Sequence, residues 1–413
     1  HCLLLPGADG ALAGVLFGLD PAERRDPDRF LPGKLAGLLP AGTYRFGNDP
    51  HDRRLAALAF ALGAYRFARY RKADDKPLRL ETPDGLDATE LARIVAGVML
   101  ARDLVNTPSN DMGPQELEAA ARALAERYGG CFRAVVGDEL LAENFPLVHA
   151  VGCASTRAPR LIDFTWGNAG APKVTLVGKG VCFDTGGLDL KPASGMRWMK
   201  KDMGGAAHAL ALARLVAAER LPVRMHLLIP AVENAVAGSA YRPGDVIRSR
   251  QGLFVEIDNT DAEGRLILAD ALAKAVEGEP GRIVDFATLT GAARVALGPD
   301  LPAFFANDDA LAEAMIAGAK SVDDPIWRMP LWDPYDEMLK SDLADLANSS
   351  NSPMAGCITA ALFLKRFVPE HIPWGHFDTF AWRETARPGR PKGGDALGLR
   401  AAFAALKTLH PRP

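Results

Sequence analysis

Short apolar runs and longer amphipathic stretches alternate along the chain beyond residue 106. The short runs predict strands over Phe132–Val136, Val148–Cys153, Leu161–Trp166, Val174–Val177, Val223–Ile229 and Ile283–Leu289. Apolar residues at helical spacing predict helices over Pro114–Tyr128, Gly204–Leu221, Gly264–Val276, Ala310–Ala319 and Gly356–Phe367. This alternation predicts an α/β fold whose mixed central sheet is covered by helices on both faces.

The first part of the chain has a less regular pattern and predicts a smaller N-terminal α/β domain. Its clearest element is a helix predicted over Leu55–Arg71, and the Pro-, Gly- and Asp-containing stretch Ala73–Asp87 is typical of a linker. A second helix is predicted over Ala88–Val105. We therefore expect a small domain over 1–85, a linker helix over 86–105 and a main domain over 106–413.

Composition and charge exclude several classes of protein. The formal net charge of −3 gives no electrostatic reason for binding nucleic acid or an anionic membrane. The longest apolar run, Leu55–Tyr65, is too short to span a bilayer. No signal peptide opens the sequence, and the five widely spaced cysteines favour reduced thiols, so we expect a cytoplasmic protein.

Several catalytic signatures are absent from the sequence, which directs attention to oxygen ligands. There is no GxSxG elbow, phosphate-binding loop, HExxH motif or CxxC pair, and the eight histidines include no pair at metal-ligand spacing. Two segments do supply carboxylates and cations beside glycines: Val174–Ala207, with Lys179, Asp184, Lys191 and Asp202, and Asp258–Leu266, with Asp261, Glu263 and Arg265. The first follows a predicted strand, at the end where open α/β sheets bind ligands.

The charge of these segments predicts a two-metal site. Four carboxylates crowded together ionise cheaply only when cations join them, and two divalent ions would neutralise the set Asp184, Asp202, Asp261 and Glu263. Mn²⁺, Mg²⁺ and Zn²⁺ suit such ligands, and two adjoining ions can activate a water and polarise a carbonyl. Lys191 and Arg265 remain positive, so the site should attract an anion or a developing oxyanion.

Each feature alone has a more ordinary interpretation. An Asp-x-Glu before a helix usually caps it, a Gly-Lys-Gly is usually a turn, and Lys191 before Pro192 would usually be a surface lysine. The joint occurrence of all seven residues in uninterrupted strings favours the metal site.

A two-metal phosphoesterase and a DNA-binding or assembly scaffold remain as alternative functions. The scaffold is supported by a basic cluster, Arg66, Arg69, Arg71 and Lys72. Such a cluster is more typical of a half-buried helix face.

Three strings, Gly178–Gly187, Met199–Ala207 and Asn259–Leu266, resemble the signature blocks of the leucyl aminopeptidase family. Supporting blocks follow in the family order over Asp103–Met112, Ala287–Ala292 and Ser352–Ala361. The resemblance implies a metal-dependent aminopeptidase that hydrolyses the N-terminal peptide bond, favouring Leu and other apolar residues, with residues 106–413 as its catalytic domain. It also implies two divalent ions (Mn²⁺ or Zn²⁺, with Mg²⁺ or Co²⁺ as alternatives), a bicarbonate ion, and a homohexamer built as a dimer of trimers.

The resemblance also implies a role for each residue of the site. Asp184 and Glu263 would bridge both metals, Lys179 and Asp202 would complete the tighter site, and Asp261 the more exchangeable one. Lys179 must be neutral to bind metal. By the same resemblance, Lys191 would stabilise an oxyanion and Arg265 would bind bicarbonate. Met199 and Thr288 would line the side-chain pocket. The residues implied to contact substrate or bicarbonate are Gly264, Leu289 and Gly291.

The chain departs from the family pattern at two points that affect expectations. Cys182 stands where many members have threonine, so we expect the site to be sensitive to thiol reagents. The N-terminal part is shorter than in the best-known members, which removes the support for any nucleic-acid role assigned to their N-terminal domain.

Overall fold

The computed structural model describes residues 1–21, 23–25, 27–72 and 76–412, and it divides into two compact units. The first unit comprises His1–Met99 with Arg383–Lys392, and the second comprises Leu100–Trp382 with Gly393–Pro413. Residues 73–75, at the start of the predicted linker, and residue 413, at the end of the predicted main domain, lie outside the described residues.

The first unit combines two small sheets with short helices. Strands β1 (Cys2–Pro6) and β2 (Leu12–Phe17) pair antiparallel, and β3 (Gly42–Tyr44) and β4 (Leu78–Leu80) pair parallel. The helical segments are a 3₁₀ turn over Leu31–Lys34, α1 over Leu35–Leu38 and α2 over Arg53–Gly63. This arrangement confirms the predicted smaller N-terminal α/β part.

Helix α2 ends eight residues before the end predicted from the sequence, at Gly63 instead of Arg71. The guanidinium of Arg66 donates hydrogen bonds to the carbonyl oxygens of Gly63 (2.9 Å) and Tyr65 (2.8 Å), which satisfies carbonyl groups that the next helical turn would otherwise use. The predicted half-buried helix face of basic residues is therefore wrong: Arg66, Arg69 and Arg71 are exposed on irregular chain.

The second unit is built on a nine-stranded mixed sheet. Its strands are β5 (Cys131–Val136), β6 (Arg160–Trp166), β7 (Lys173–Gly178), β8 (Gly180–Asp184), β9 (Arg224–Asn234), β12 (Arg282–Ala287), β13 (Ala303–Ala306), β14 (Trp327–Arg328) and β16 (Trp374–Asp378). Their order is β14-β13-β16-β12-β7-β9-β6-β5, and β8 pairs with β9 beyond the end of β7. The central strands are parallel and the outer pairs β5–β6, β6–β9 and β13–β16 are antiparallel, which confirms the mixed sheet.

Helices of the second unit flank this sheet; α3 begins in the first unit and ends in the second, and the remaining strands are short. The helices are α3 (Ala88–Asn106), α4 (Pro114–Tyr128), α5 (Glu139–Ala142), α6 (Pro146–Gly152), α7 (Ala193–Met196), α8 (Gly204–Glu219), α9 (Glu263–Glu277), α10 (Gly291–Leu297), α11 (Asp309–Val322), α12 (Gly356–Lys365) and α13 (Leu399–Leu409), with 3₁₀ turns over Ser109–Asp111, Met199–Met203 and Asp333–Leu339. The remaining strands are β10 (Val246–Arg248), β11 (Phe254–Glu256), β15 (Leu346–Ala347), β17 (Trp382–Arg383) and β18 (Gly393–Gly394).

One predicted strand is wrong, because residues 146–152 form helix α6. Pro146 occupies the first helical turn, where its missing N–H group costs nothing. The carboxylate of Asp270 accepts hydrogen bonds from the backbone N–H groups of Leu147 (2.8 Å) and Val148 (3.3 Å). A residue more than a hundred positions away thus caps the helix, and the local apolar pattern Val148–Cys153 contains no sign of it.

The main core lies between the sheet and α9. Val177 of β7, Leu228 of β9, Ile267 of α9 and Phe363 of α12 belong to one continuous cluster of buried apolar side chains. Strands β7, β8, β12 and β16 are parallel and end at the same edge of the sheet, which becomes the site described below. Among the described residues no helix combines the length and apolar character that crossing a membrane requires.

Candidate active site

The site begins at a break between strands β7 and β8, where Lys179 leaves the ladder. Its backbone N–H donates to the carbonyl of Phe286 on β12 (3.0 Å), and its carbonyl accepts from Ala206 on α8 (2.8 Å). A Cβ atom on Gly205 would lie 2.1 Å from the Phe286 oxygen, so glycine is required for α8 to approach the sheet this closely. The backbone of Lys179 is therefore fixed on both sides.

The loop after β8 brings Asp184 and Lys191 together. Gly186 (φ +87°) and Gly187 (φ +67°) turn the chain through left-handed conformations, and the N–H group of Lys191 donates to the Thr185 carbonyl (2.9 Å). Oδ1 of Asp184 accepts from the N–H group of Gly186 at 2.8 Å. These contacts fix the orientation of the Asp184 carboxylate.

The turn before α9 presents Asp261 and Glu263 to the same space. The backbone N–H of Asp261 donates to Oδ1 of Asn259 (2.7 Å), and the carbonyl of Thr260 accepts from the Tyr241 hydroxyl (2.6 Å). Glu263 is the first residue of α9. Because this backbone turns instead of continuing a helix, two acids that are two positions apart reach one site.

The carboxylates and lysines form one interdigitated cluster. Oxygen atoms of Asp184, Asp202 and Glu263 lie within 4.8 Å of one another. Nζ of Lys179 lies 2.6 Å from Oδ2 of Asp202, 2.9 Å from Oε1 of Glu263 and 2.9 Å from the carbonyl oxygen of Thr288.

The second lysine connects the remaining acid to this cluster. Nζ of Lys191 lies 2.8 Å from Oδ2 of Asp184, and it also contacts Oδ1 of Asp261. The structure thus brings all four predicted carboxylates together, with an ammonium group between the members of each pair.

Burial makes this cluster a strong site for cations. Asp184, Asp202 and Glu263 are each 2% exposed or less. Burial, followed by repulsion from Asp184, raises the pKa of Glu263 to about 8, and the same two causes raise the pKa of Asp261 to about 6. Within the described part of the chain, Oε2 of Glu263 is buried with no hydrogen-bond partner. Hard oxygen donors, one amine and an unsatisfied buried oxygen suit divalent cations.

A cavity of about 300 Å³ opens beside the cluster, and nine of the twelve predicted site residues line it: Lys179, Asp184, Lys191, Met199, Asp202, Asp261, Thr288, Leu289 and Gly291. The other three, Glu263, Gly264 and Arg265, do not line it. Glu263 contacts Lys179, and a Cβ atom on Gly264 would lie 2.5 Å from Cε of that lysine. Arg265 is 8% exposed and donates from Nη1 to the Asn348 carbonyl (2.8 Å).

Sequence reasoning missed several polar residues that support the site. Oδ1 of Asp378 accepts from the backbone N–H groups of Leu289 (3.0 Å) and Thr290 (3.2 Å), which holds the loop between β12 and α10. Nδ2 of Asn234 donates to Oδ1 of Asp184 at 2.8 Å. Asp378 is the last residue of the apolar strand β16, and Asn234 is the last residue of β9. A polar residue at the end of an apolar strand was the sequence signal that could have identified both.

Lys201 was also missed, although it lies within the string Met199–Ala207. It is 6% exposed, lines the cavity and places Nζ 3.6 Å from Oδ1 of Asp202.

The expected sensitivity of Cys182 to thiol reagents is wrong. Its side chain is fully buried and is absent from the cavity lining. Burial, followed by repulsion from Glu233, raises the pKa of the Cys182 thiol well above its ordinary value. A buried neutral thiol is a poor nucleophile, so this position acts as a small packing residue. All five cysteines are free.

Comparison with known proteins places both parts of the chain. Residues 99–403 match the model of the cytosol aminopeptidase family, catalytic domain, and residues 1–83 match the M17 aminopeptidase, N-terminal domain. A probable cytosol aminopeptidase of Syntrophotalea carbinolica is 45% identical over 365 residues, covering 84% of this chain and 73% of the relative. A second from Roseiflexus castenholzii is 43% identical, covering 84% and 74%.

Solved structures agree with these sequence matches. The crystal structure of a cytosol aminopeptidase from Coxiella burnetii superposes with a TM-score of 0.95 and 50% identity, covering 99% of this chain and 89% of the other. The bottromycin maturation enzyme BotP in complex with Mn has a TM-score of 0.92 and 34% identity, covering 99% and 93%.

Proposed function

Because the chain belongs to the cytosol aminopeptidase family, whose members are metal-dependent hydrolases of N-terminal peptide bonds, we propose that its cavity is a two-metal active site. The observation that carries this proposal is the convergence of Asp184, Asp202 and Glu263 within 4.8 Å, against Lys179. The proposed substrates are peptides with a free N-terminus, with a preference for Leu and other apolar first residues.

The residues proposed to hold the two metals are Lys179, Asp184, Asp202, Asp261 and Glu263. Asp184 and Glu263 would be shared, as the resemblance implies, and Lys179 would bind as the neutral amine. When bound, the ions would supply an activated water and would polarise the substrate carbonyl. Because BotP was solved in complex with Mn, we favour Mn²⁺ for this site, with Zn²⁺, Mg²⁺ and Co²⁺ as the other candidates.

Two cations have proposed roles outside metal binding. Lys191 lines the cavity between Asp184 and Asp261, so its ammonium group is in place to stabilise an oxyanion. Nε of Arg265 is buried and has no hydrogen-bond partner among the described residues. A buried guanidinium with an unused N–H donor favours binding of an anion. We assign bicarbonate to Arg265, as carrier of the proton that the leaving amine needs.

The cavity wall supports the proposed preference for apolar residues. Met199 and Thr288 are proposed to line the side-chain pocket, and Leu301 and Pro302 add apolar surface to the same cavity. Leu289, on the loop held by Asp378, and Gly291, the first residue of α10, would contact substrate or bicarbonate. The resemblance implies the same role for Gly264, which packs against Lys179. We further propose that the protein is cytoplasmic and forms a homohexamer. Light scattering of the purified protein measures the number of subunits directly.

Metal-dependent activity on paired substrates tests the proposal. Leucine p-nitroanilide and Leu-Leu should be hydrolysed after loading with Mn²⁺ or Zn²⁺, and prolonged chelation should abolish the rate. N-acetyl-Leu-Leu should be inert, since an acetylated nitrogen cannot serve as an amine ligand. Asp202→Asn should lose activity, with Asp163→Asn on β6 as a matched control. Equal rates on blocked and free peptides, or activity confined to phosphate esters, would refute the proposal.

A further inference from the structure

Two cations in the cavity take no part in the proposed metal site. Lys201 lies on the 3₁₀ turn Met199–Met203, and Arg294 lies on α10; both line the cavity. Nζ of Lys201 lies 5.5 Å from the ring centroid of Phe380, and Cζ of Arg294 lies 4.6 Å from the same centroid. Both positive charges therefore face one part of the cavity wall, beside the carboxylate cluster.

Neither cation has a hydrogen-bonded carboxylate partner in the described residues: Lys201 has one longer ion pair, and Arg294 is exposed. Asp202, the nearest acid to Lys201, lies 3.6 Å away, beyond hydrogen-bond length, and its oxygens already accept from Thr288 Oγ1 (2.8 Å) and contact Lys179 (2.6 Å). Within the described ranges no carboxylate pairs with Arg294. Lys201 is only 6% exposed, and its ion pair at 3.6 Å compensates a buried charge incompletely, because buried charges are normally paired through hydrogen bonds.

The neighbouring lysine, Lys200, has an ammonium group whose contacts are all made within the protein. Lys200 donates from Nζ to the Asn106 carbonyl (2.6 Å), lies over the Trp382 ring (5.3 Å) and is absent from the cavity lining. Lys201, one residue later, instead presents its ammonium group to the cavity. The contrast indicates that the ammonium group of Lys201 can take a ligand in the cavity as a closer partner.

We propose that Lys201, Arg294 and Phe380 form a carboxylate subsite that binds a negative charge of the peptide substrate. The inference rests on the proposed function and narrows its substrates to peptides with a carboxylate close to the scissile bond. One residue spans at most about 3.6 Å, so two sources reach the subsite: the C-terminal carboxylate of a dipeptide, or an acidic side chain next to the bond. The ring of Phe380 lies beside each cation, at the distances given above, and adds a cation–π contact to both.

Paired substrates separate the two sources. Leu-Leu and Leu-leucinamide differ only in the C-terminal charge, and Glu-leucinamide and Gln-leucinamide differ only in the side-chain charge. For the wild-type enzyme we expect kcat/KM to be roughly tenfold higher for the charged member of one pair, mainly through a lower KM, since a charge-assisted contact is lost in the neutral member. The pair that shows the preference identifies the source.

Three variants test which residues create the preference. Lys201→Met and Arg294→Gln should each reduce the charged-to-neutral ratio to near one. Arg197→Gln removes a positive charge from the exposed surface of the same segment, outside the cavity, and should retain the wild-type ratio. A binding measurement without turnover uses N-acetyl-leucine and N-acetylleucinamide in calorimetry, where only the carboxylate form should lose affinity in both cavity variants.

The outcomes distinguish this inference from the function on which it rests. Absence of preference in both pairs, or the same loss in Arg197→Gln, would overturn the subsite while leaving an active aminopeptidase. Failure of the metal-loaded enzyme to hydrolyse any of the four substrates would refute the proposed function, and the subsite with it.

Discussion

The close packing of Gly264 against Lys179 makes Gly264→Ala a severe test of the site. A Cβ atom there would lie 2.5 Å from Cε of Lys179 and 2.8 Å from both Cδ and Nζ. Carbon atoms normally pack at about 3.5–4.0 Å, so the lysine must move by roughly 1 Å. Lys179 is buried, and its ammonium group contacts Asp202, Glu263 and the Thr288 carbonyl, so any movement breaks one of these contacts.

We expect Gly264→Ala to lower kcat/KM about a hundredfold, the scale of a 1 Å misplacement in an active site, and to lower the metal content. The fold should survive. Overpacking costs about 1–3 kcal/mol, while alanine gains up to about 1 kcal/mol over glycine inside a helix, so the Tm should fall by only a few degrees.

The assay combines peptide hydrolysis, metal analysis and thermal unfolding on the same preparation. Gly278→Ala is the matched control, because it adds the same methyl group at the other end of α9, where the nearest atom is the Ala275 oxygen at 3.4 Å. Full activity and full metal content in Gly264→Ala would show that Lys179 has room to move, and would refute the rigidity argued from its packing.

Three further predictions concern individual cations and one buried histidine. Lys191→Ala should lower kcat by roughly a hundredfold with little change in metal content, whereas Lys179→Ala should lose metal and recover partly when metal is added; the opposite pattern would reverse the two assignments. Arg265→Ala should keep its metals, and its residual rate should no longer respond to bicarbonate; a retained response would contradict the anion site. Burial, followed by repulsion from Arg282, lowers the pKa of His410 to about 4, so the stability it contributes is present above about pH 6.5 and is lost as the pH falls toward 4. The Tm of His410→Leu should therefore fall less than the Tm of the wild type between pH 7 and 4. The Tm of a control variant at an exposed histidine, His371→Gln, should fall as much as that of the wild type.

The cluster of acids could be predicted from the sequence because the acids lie directly next to predicted strands and helices in the chain. Asp184 follows a strand, and Asp261 and Glu263 precede a helix, so the rule that ligands bind at the carboxyl edge of a parallel sheet placed them on one side. The structure brings these acids together with Asp202. The mixed sheet and its covering helices were predicted for the same reason, since alternating periodicity is a local property.

Errors arose where distant contacts decide local structure. The N–H groups of Leu147 and Val148 bind Asp270 from another helix, which converts a strand-like apolar run into α6. The end of α2 depends on Arg66 folding back onto Gly63, where propensity alone would continue the helix.

The two walls of the cavity are built on different kinds of backbone. Asp184, Glu263 and Lys179 lie at strand ends and a helix start of the central sheet, where glycine contacts and strand pairing restrict the backbone, whereas Asp202 shares its 3₁₀ turn with Lys201. Lys201, Phe380 and Arg294 lie on a 3₁₀ turn, a segment after β16 and a short helix. Substitutions at Phe380 and Arg294 can therefore adapt this wall to new peptides, while the backbone that holds the acids is inherited unchanged.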